Sequence, residues 1–415
     1  SFYAPFSRLL LFWGYMYLSS LERYILSAYG NSCWTPNQME STTIIVGAGP
    51  AGLATAACLT RDSIPYVLLE REDCFAPLWK KKTYDRLHLH LPKQVCELPL
   101  MKFPSTYPNY VPRKDFLQYL DDYVNHFRIN PLCLRRVVGA TFDQDSNSWR
   151  VRAKNLGESG GEEEYVGRYL VVANGESCDP FCPHIQGLSS FQGKVLHSTQ
   201  YKSGKEFEGK SVLVVGAGNS GWEISLDLAQ HGATTSIVVR SPVHVLSREM
   251  VNLGVFVAQY LPLKVADTLI VMLSKFVFSG FSRYGLSRPP EGPFYLKITF
   301  GKFPIIDVGT YQKIKSGDIK VFPGIKSING NDVLFEDGRS FTSDAIIFAT
   351  GFKRSTHEWL QGDDYLIGED GLAKQSFPNH WKGKNGLYCV GLAKRGLFGI
   401  AMDAQNVARD IKSQL

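Results

Sequence analysis

Thr43-Ile44-Ile45-Val46-Gly47-Ala48-Gly49-Pro50-Ala51-Gly52 is an apolar run that stops in a glycine-rich turn. Beyond it, Leu53 to Leu59 is rich in Ala and Leu and predicts a helix, and Tyr66-Val67-Leu68-Leu69 predicts a second buried strand ending on Glu70. A strand, a glycine turn, a helix and a strand in this order form a dinucleotide-binding unit. Gly47 permits the tight turn, Gly49 lets backbone amides approach a pyrophosphate, and Gly52 allows close helix–strand packing, with Ala48, Pro50 and Ala51 completing the loop. The helix N-terminus adds partial positive charge. Glu70 stands where an acid accepts a hydrogen bond from a ribose hydroxyl. The glycine pattern alone is weak, but flanking strands and a closing acid make it specific.

The design recurs. Val212-Leu213-Val214-Val215 leads into Gly216-Ala217-Gly218-Asn219-Ser220-Gly221, a helix runs through Ile224 and Leu228, and Ser236-Ile237-Val238-Val239 is the next strand. This one ends on Arg240. The change of sign decides the ligand, because an acid suits a free ribose hydroxyl whereas a guanidinium suits a 2′-phosphate. The first unit therefore reads as an FAD site and the second as an NADPH site. Tyr169–Ala173, ending in Asn174-Gly175, and Ala345–Ala349, ending in Thr350-Gly351, share one form and mark where the chain leaves and re-enters the flavin domain. The expected fold is α/β, with two Rossmann-like dinucleotide-binding domains, the NADP domain inserted into the FAD domain. The expected boundaries are 39–178 for the first part of the FAD domain, 179–345 for the NADP domain with a helical insertion around 250–300, and 346–415 for the second part of the FAD domain.

Composition limits the alternatives. The chain has 415 residues, 44% hydrophobic and 20% charged, enough for two or three domains with substantial cores. A net charge of +6, with basic residues scattered apart from Lys80-Lys81-Lys82, gives nucleic-acid binding no support, and that run reads as a solvated face. The eight cysteines include no C-x-x-C and read as reduced thiols of an intracellular, cytoplasmic protein. Cys178 and Cys182 read as loop thiols rather than a metal pair. His88 and His90, alternating with Leu87, Leu89 and Leu91 in a strand or extended loop, lack a third ligand, so no metal is expected. Leu9 to Leu18 is apolar but about half the length of a span. Residues 1–38 are thus expected to be a leader or appended segment, with a weak anchor at the endoplasmic-reticulum surface as the second reading. Pro112 to Phe127 predicts an amphipathic helix. Met250 to Phe281 is apolar but broken by Pro262, Lys264, Asp267 and Lys275, which predicts a helical cover over a substrate cavity, or a packing surface, rather than a membrane span.

Phe191-Gln192-Gly193-Lys194-Val195-Leu196-His197-Ser198-Thr199-Gln200-Tyr201, between the two glycine turns, fits F-x-G-x-x-x-H-x-x-x-Y. With Phe348-Ala349-Thr350-Gly351-Phe352 it resembles the class B flavin-dependent monooxygenases, over nearly all of Met39 to Leu415. More narrowly, Thr83-Tyr84-Asp85-Arg86-Leu87, Leu89-His90-Leu91-Pro92-Lys93 and the stretch from His197 to Gly204 resemble the plant YUCCA family, the indole-3-pyruvate monooxygenases of auxin biosynthesis. The resemblance implies that NADPH reduces FAD, that O2 adds to give a flavin C4a-peroxide, and that this attacks indole-3-pyruvate, releasing CO2 and indole-3-acetate. The flavin carries that chemistry, and accordingly there is no H-E-x-x-H and no disulfide-reductase cysteine pair. Alternative readings are oxygenation of a nitrogen, sulfur or other ketone substrate, or a catalytically silent flavoprotein. Asn174 stands where a threonine is usual, Phe352 where a tyrosine is usual, and Trp222 where a smaller residue is usual. His88, Leu89 and His90 occupy the stretch where many animal relatives carry an asparagine near the flavin. His197 and Tyr201 have two even readings, bracing NADP or holding the interdomain crossing. For Trp79, stacking near the flavin competes with core packing. Of Lys202 and Arg240, Arg240 has the better claim on a phosphate.

Overall fold

The computed structural model describes residues 38–158 and 160–415, so the leader reading falls, but for Gln38, outside the described residues. The chain opens with β1 (Gln38–Val46), α1 (Pro50–Arg61) and β2 (Tyr66–Leu69). β1 and β2 are parallel, Ile44 facing Val67 and Ile45 facing Leu68. A strand covered on both faces must be apolar at successive positions, and Ile44 and Ile45 are both fully buried. α2 (Arg113–Phe127) turns Phe116, Tyr119, Leu120, Tyr123 and Val124 inward, the stripe its helical spacing predicts. β3 (Arg135–Asp143), β4 (Ser148–Asn155) and β5 (Glu162–Val172) then form an antiparallel meander, and β4 buries Trp149, Val151 and Ala153 by strict alternation.

A second sheet follows, with β6 (Lys194–His197), β7 (Ser211–Val215), α3 (Asn219–Gln230) and β8 (Thr234–Val238). The expected insertion is helical: α4 (Arg248–Val257), α5 (Leu263–Val277) and α6 (Pro293–Phe300). β9 (Ile319–Phe322) and β10 (Ala345–Phe348) complete a parallel sheet in the order β9-β8-β7-β10-β6. The order reverses at β7, which has β8 on one side and β10 on the other, and this is where such sheets open a crevice for ligands. β11 (Leu387–Cys389) and α7 (Gly396–Gln414) return to the first sheet, whose order is β2-β1-β5-β4-β3. β5 changes partner along its length, pairing with β4 early and with β11 through Leu170–Val172. β10 pairs with both β6 and β7 over Ala345–Phe348.

Among the described residues no helix is long and apolar enough to cross a membrane. The sequence reading treated Asp267 as a charge interrupting an apolar surface, but it is buried and accepts the amides of Phe294 (2.8 Å) and Tyr295 (3.0 Å) at the start of α6. That bond satisfies helix donors which lack an internal partner. Asp267→Ala is expected to cost about 1–3 kcal/mol, measured by urea or thermal unfolding, with bound flavin per chain unchanged.

Candidate active site

Both glycine turns follow the carboxyl end of a first strand, and their geometry is the same. Gly47 has φ +104°, and a Cβ there would meet the Ala173 carbonyl oxygen at 2.6 Å; Gly216 has φ +112° and would meet that of Ala349 at 2.6 Å. At Gly52 and Gly221 a Cβ would lie 1.9 Å from the carbonyl oxygen of Gly47 and Gly216 respectively. These four positions admit only glycine because main chain occupies the space. Gly49 and Gly218 differ, since a Cβ on either would meet nothing within 4 Å. Their bareness leaves open space outside each turn, in front of the helix. Gly49 and Gly218 are the N-caps of α1 and α3, and neither carries a side-chain cap, so the amides of Ala51 and Gly52 in α1, where Pro50 has none, and those of the first turn of α3 stay free for an anion. A nucleotide pyrophosphate fits both places.

The first turn opens on a cavity of about 850 Å³ lined by Gly47, Gly49, Glu70, Trp79, Asn174 and Gly391 among others. Pro50 and Ala51 also line it, while Ala48 faces inward and its carbonyl accepts Ala76 N–H at 2.8 Å. Glu70 is buried, and its two oxygens accept the amides of Ala48 (2.8 Å) and Glu72 (3.0 Å). Burial pushes its carboxyl above the usual range, and those two amides partly offset the rise. A carboxylate has about four acceptor positions, so capacity remains for a hydroxyl donor in the cavity. Trp79 lies on the short helix Pro77–Lys81, lines the cavity and packs edge-on against Phe116 at 4.5 Å, so it serves wall and core together. Asn174 donates from Nδ2 to Thr356 Oγ1 (2.8 Å), while its Oδ1 is buried without a partner. An orphan acceptor on a cavity wall calls for a ligand donor.

A cavity of about 380 Å³ beside the second turn is lined by Ala217, Ser241, His244, Pro290 and Phe303 among others. Asn219 ties this turn to the insertion, accepting Ile306 N–H at 2.7 Å. Ser220 and Gly221 lie in the first turn of α3. Arg240 is exposed, next to the wall residue Ser241. Trp222 is fully buried and donates to Asp307 Oδ1 at 2.7 Å, which accommodates the larger side chain.

His197 and Tyr201 line neither cavity. His197 Nε2 donates to the Gly351 carbonyl (3.1 Å), its Nδ1 accepts from the Thr199 amide (3.3 Å), and its ring meets Phe352 edge-on. Burial pushes the imidazole down, so it is neutral and both nitrogens are occupied where the chain crosses between domains. Tyr201 is buried, and its hydroxyl donates to Asp227 Oδ2 (2.6 Å) on α3. Phe352, replacing the usual tyrosine, packs on His197 without a hydroxyl to place.

The segment from Lys80 to His90 contains residues whose role the sequence did not disclose. Its lysines are not a free solvated face: Lys80 pairs with Asp121 (2.8 Å), Lys82 with Glu72 (2.7 Å), and Lys81 with Asp73. Further along, Tyr84 donates to Glu223, Arg86 donates to Gln230 (2.7 Å) and lies 3.5 Å from Asp227, and His90 stands 3.7 Å from Glu223. Burial would raise the Glu223 carboxyl, but His90, Tyr84 and Arg86 hold it below the usual range. Glu223, Asp227 and Gln230 recur at helical spacing along one face of α3, so this strap grips the helix that bears the second turn. Lys202 joins it by donating to the carbonyls of Lys81 and Thr83, which spends its ammonium on backbone. His88 bonds the Arg86 carbonyl through Nδ1, and among the described residues no group of three or more His, Cys, Asp or Glu is placed to hold a metal. Cys178 donates to the carbonyls of Asn174 and Gly175, and Cys182 is exposed. Glu176, on the wall of the first cavity, accepts the amide of Lys394, a contact that no local pattern announces.

With this geometry in place, the chain matches the family described as flavin-binding monooxygenase-like over residues 41–410. It is similar to the probable indole-3-pyruvate monooxygenase YUCCA10 of Arabidopsis thaliana, 48% identical over 378 residues, which are 91% of this chain and 98% of that one. It is similar also to the indole-3-pyruvate monooxygenase YUCCA4 of Oryza sativa subsp. japonica, 45% identical over 387 residues, 90% and 87% of the two chains. Among solved structures, a flavin-containing monooxygenase from Stenotrophomonas maltophilia superposes with a TM-score of 0.65 at 21% identity, covering 91% of this chain and 99% of that one. That likeness concerns the fold.

The two kinds of glycine predict opposite outcomes. Gly52→Ala drives a methyl into the Gly47 carbonyl and is expected to lower the thermal midpoint of the apoprotein. Gly49→Ala meets no protein atom and is expected to leave that midpoint unchanged while the protein purifies with little flavin, as absorbance near the flavin bands reports.

Proposed function

Because the chain belongs to the flavin-binding monooxygenase-like family, an oxidoreductase family using FAD and NADPH, we propose that it converts indole-3-pyruvate to indole-3-acetate, the auxin-forming step. The reaction balances as 2-oxo acid, NADPH, O2 and a proton giving the shorter acid, CO2, NADP⁺ and water. Bound FAD supplies the electron-transfer and oxygen chemistry. The chain's own residues bind, orient and shelter.

The duplicated turn with opposite charge at its far end carries the cofactor part of this reading, and the likeness to a probable indole-3-pyruvate monooxygenase at 48% identity supports the substrate. At the first, the amides of Ala51 and Gly52 would receive the FAD pyrophosphate and Glu70 would accept from a ribose hydroxyl. Asn174, on the same wall, would offer its unpartnered Oδ1 to a donor of the cofactor. At the second, the amides following Gly218 receive the NADPH pyrophosphate and Arg240 meets the 2′-phosphate. His197 and Tyr201 contribute indirectly, by fixing the crossing and α3. Trp79 closes the wall of the first cavity and excludes water, which strengthens the polar contacts inside it. No side-chain nucleophile is needed. Cys178, which also lines the first cavity, has its thiol pushed up to about 11 by burial, the wrong direction for a thiolate.

Purified holoprotein supplied with NADPH, O2 and indole-3-pyruvate should form indole-3-acetate and CO2 in equal amounts. NADPH consumption that ignores the keto acid, with no indole-3-acetate formed, refutes the substrate. Arg240→Ser is expected to raise the KM for NADPH about thirtyfold while leaving that for NADH nearly unchanged. An equal rise for both coenzymes would remove the 2′-phosphate role from this residue.

A further inference from the structure

A corner of cationic side chains stands beside the first cavity, where two chain segments far apart in sequence meet. Lys394 and Arg395 immediately precede α7, whose first residues, Gly396 and Leu397, line that cavity. From the insertion, α6 brings Lys297 and its C-cap Gly301 to the same place: a Cβ built on Gly301 would lie 2.9 Å from Lys394 Nζ. Lys297 is partly buried and its ammonium is held below the usual range, first by burial and then by the charge of Arg395.

Among the described residues no acid lies within ion-pair distance of Lys297, Lys394 or Arg395. Arg395 Nη1 is buried without an acceptor. The acid that touches this loop, Glu176, accepts the backbone amide of Lys394 rather than its ammonium; burial pushes its carboxyl up, and that amide and the charges of Arg354 and Lys394 partly offset the rise. The C-terminal end of α6 explains a cation at Lys394, because carbonyl ends of helices attract positive charge. The same holds for Lys297 in the last turn of α6, but not for Arg395. Cations drawn together out of water without an anion are unfavourable, and the position persists where an anion is the normal occupant.

Aromatic rings surround the same corner. Arg395 Cζ lies 4.2 Å from the Phe377 ring and 5.7 Å from that of Phe398, and Lys297 Nζ lies 5.5 Å from that of Phe303. These three phenylalanines are 55%, 44% and 50% exposed, so flat apolar surface adjoins unpaired positive charge. A carboxylate attached to an aromatic ring matches both.

We infer that Lys297 and Arg395, with Lys394 beside them, hold the carboxylate of an aromatic 2-oxo acid at the edge of the flavin cavity. The inference deepens the proposed function and rests on it for the substrate class. Its residues come from α6 of the second domain and the start of α7 in the first, so the bound acid bridges the two.

The test uses inhibition by indole-3-propionate, an anion without a keto group, and by its neutral amide. Both are also titrated directly against oxidised holoprotein by the perturbation of flavin absorbance. The wild type is expected to prefer the acid, with an affinity that falls as salt rises. Lys297→Met and Arg395→Met should each raise the dissociation constant of the acid about tenfold and leave that of the amide unchanged, and Lys297→Arg should restore wild-type binding. Flavin content and NADPH-driven flavin reduction serve as the folding control. Equal weakening of acid and amide, or no change in either, overturns the inference, as does a wild type blind to charge. Should the wild type prefer the acid and lose that preference in the variants, yet form no indole-3-acetate, the anion site stands and the named substrate falls. Product formed at wild-type efficiency by Lys297→Met and Arg395→Met removes the site alone.

Discussion

The fold depends on backbone pressed against backbone. Where β1 ends, the turn at Gly47 passes so close to the Ala173 carbonyl that even a methyl group is excluded, and the helix that follows is drawn in against the turn through Gly52. The identical pair of contacts recurs at Gly216 and Gly221. Such contacts fix the direction of α1 and α3 relative to their sheets, and thereby aim the free amides at each helix start. Everything ligand-facing in the molecule is placed from these two points.

The sequence disclosed this frame because its causes are local. A glycine at φ above +100°, an apolar strand before it and an Ala- and Leu-rich helix after it all lie within some twenty consecutive residues. The acid at Glu70 and the arginine at Arg240 are legible for the same reason, since each closes the strand next to its turn. What stayed hidden is non-local. The grip of Tyr84 on Glu223 joins positions 139 apart, and that of Glu176 on Lys394 joins positions 218 apart, with no periodicity to connect them. Burial misleads as well. Asp267 reads as a surface charge in an apolar run, yet it caps a helix from the inside.

His197 and Tyr201 mark the limit of motif reasoning. Their spacing identifies a family, and two uses remain open on sequence alone. In the fold their polar atoms are engaged by Gly351, Thr199 and Asp227. The second domain is held to the first by the crossings at Asn174-Gly175 and Thr350-Gly351, by the strap along α3, by Arg248 and Asn252 on Tyr110, and by Gly301 against Lys394.

The strap has one more consequence. The chain leading into it, through Pro77, Leu78 and Trp79, forms part of the wall of the larger cavity, and the strap itself is clasped to α3, which follows the turn that gives Ala217 to the smaller one. A single ribbon of polypeptide therefore spans the distance between the two cavities, and its length helps to set their separation.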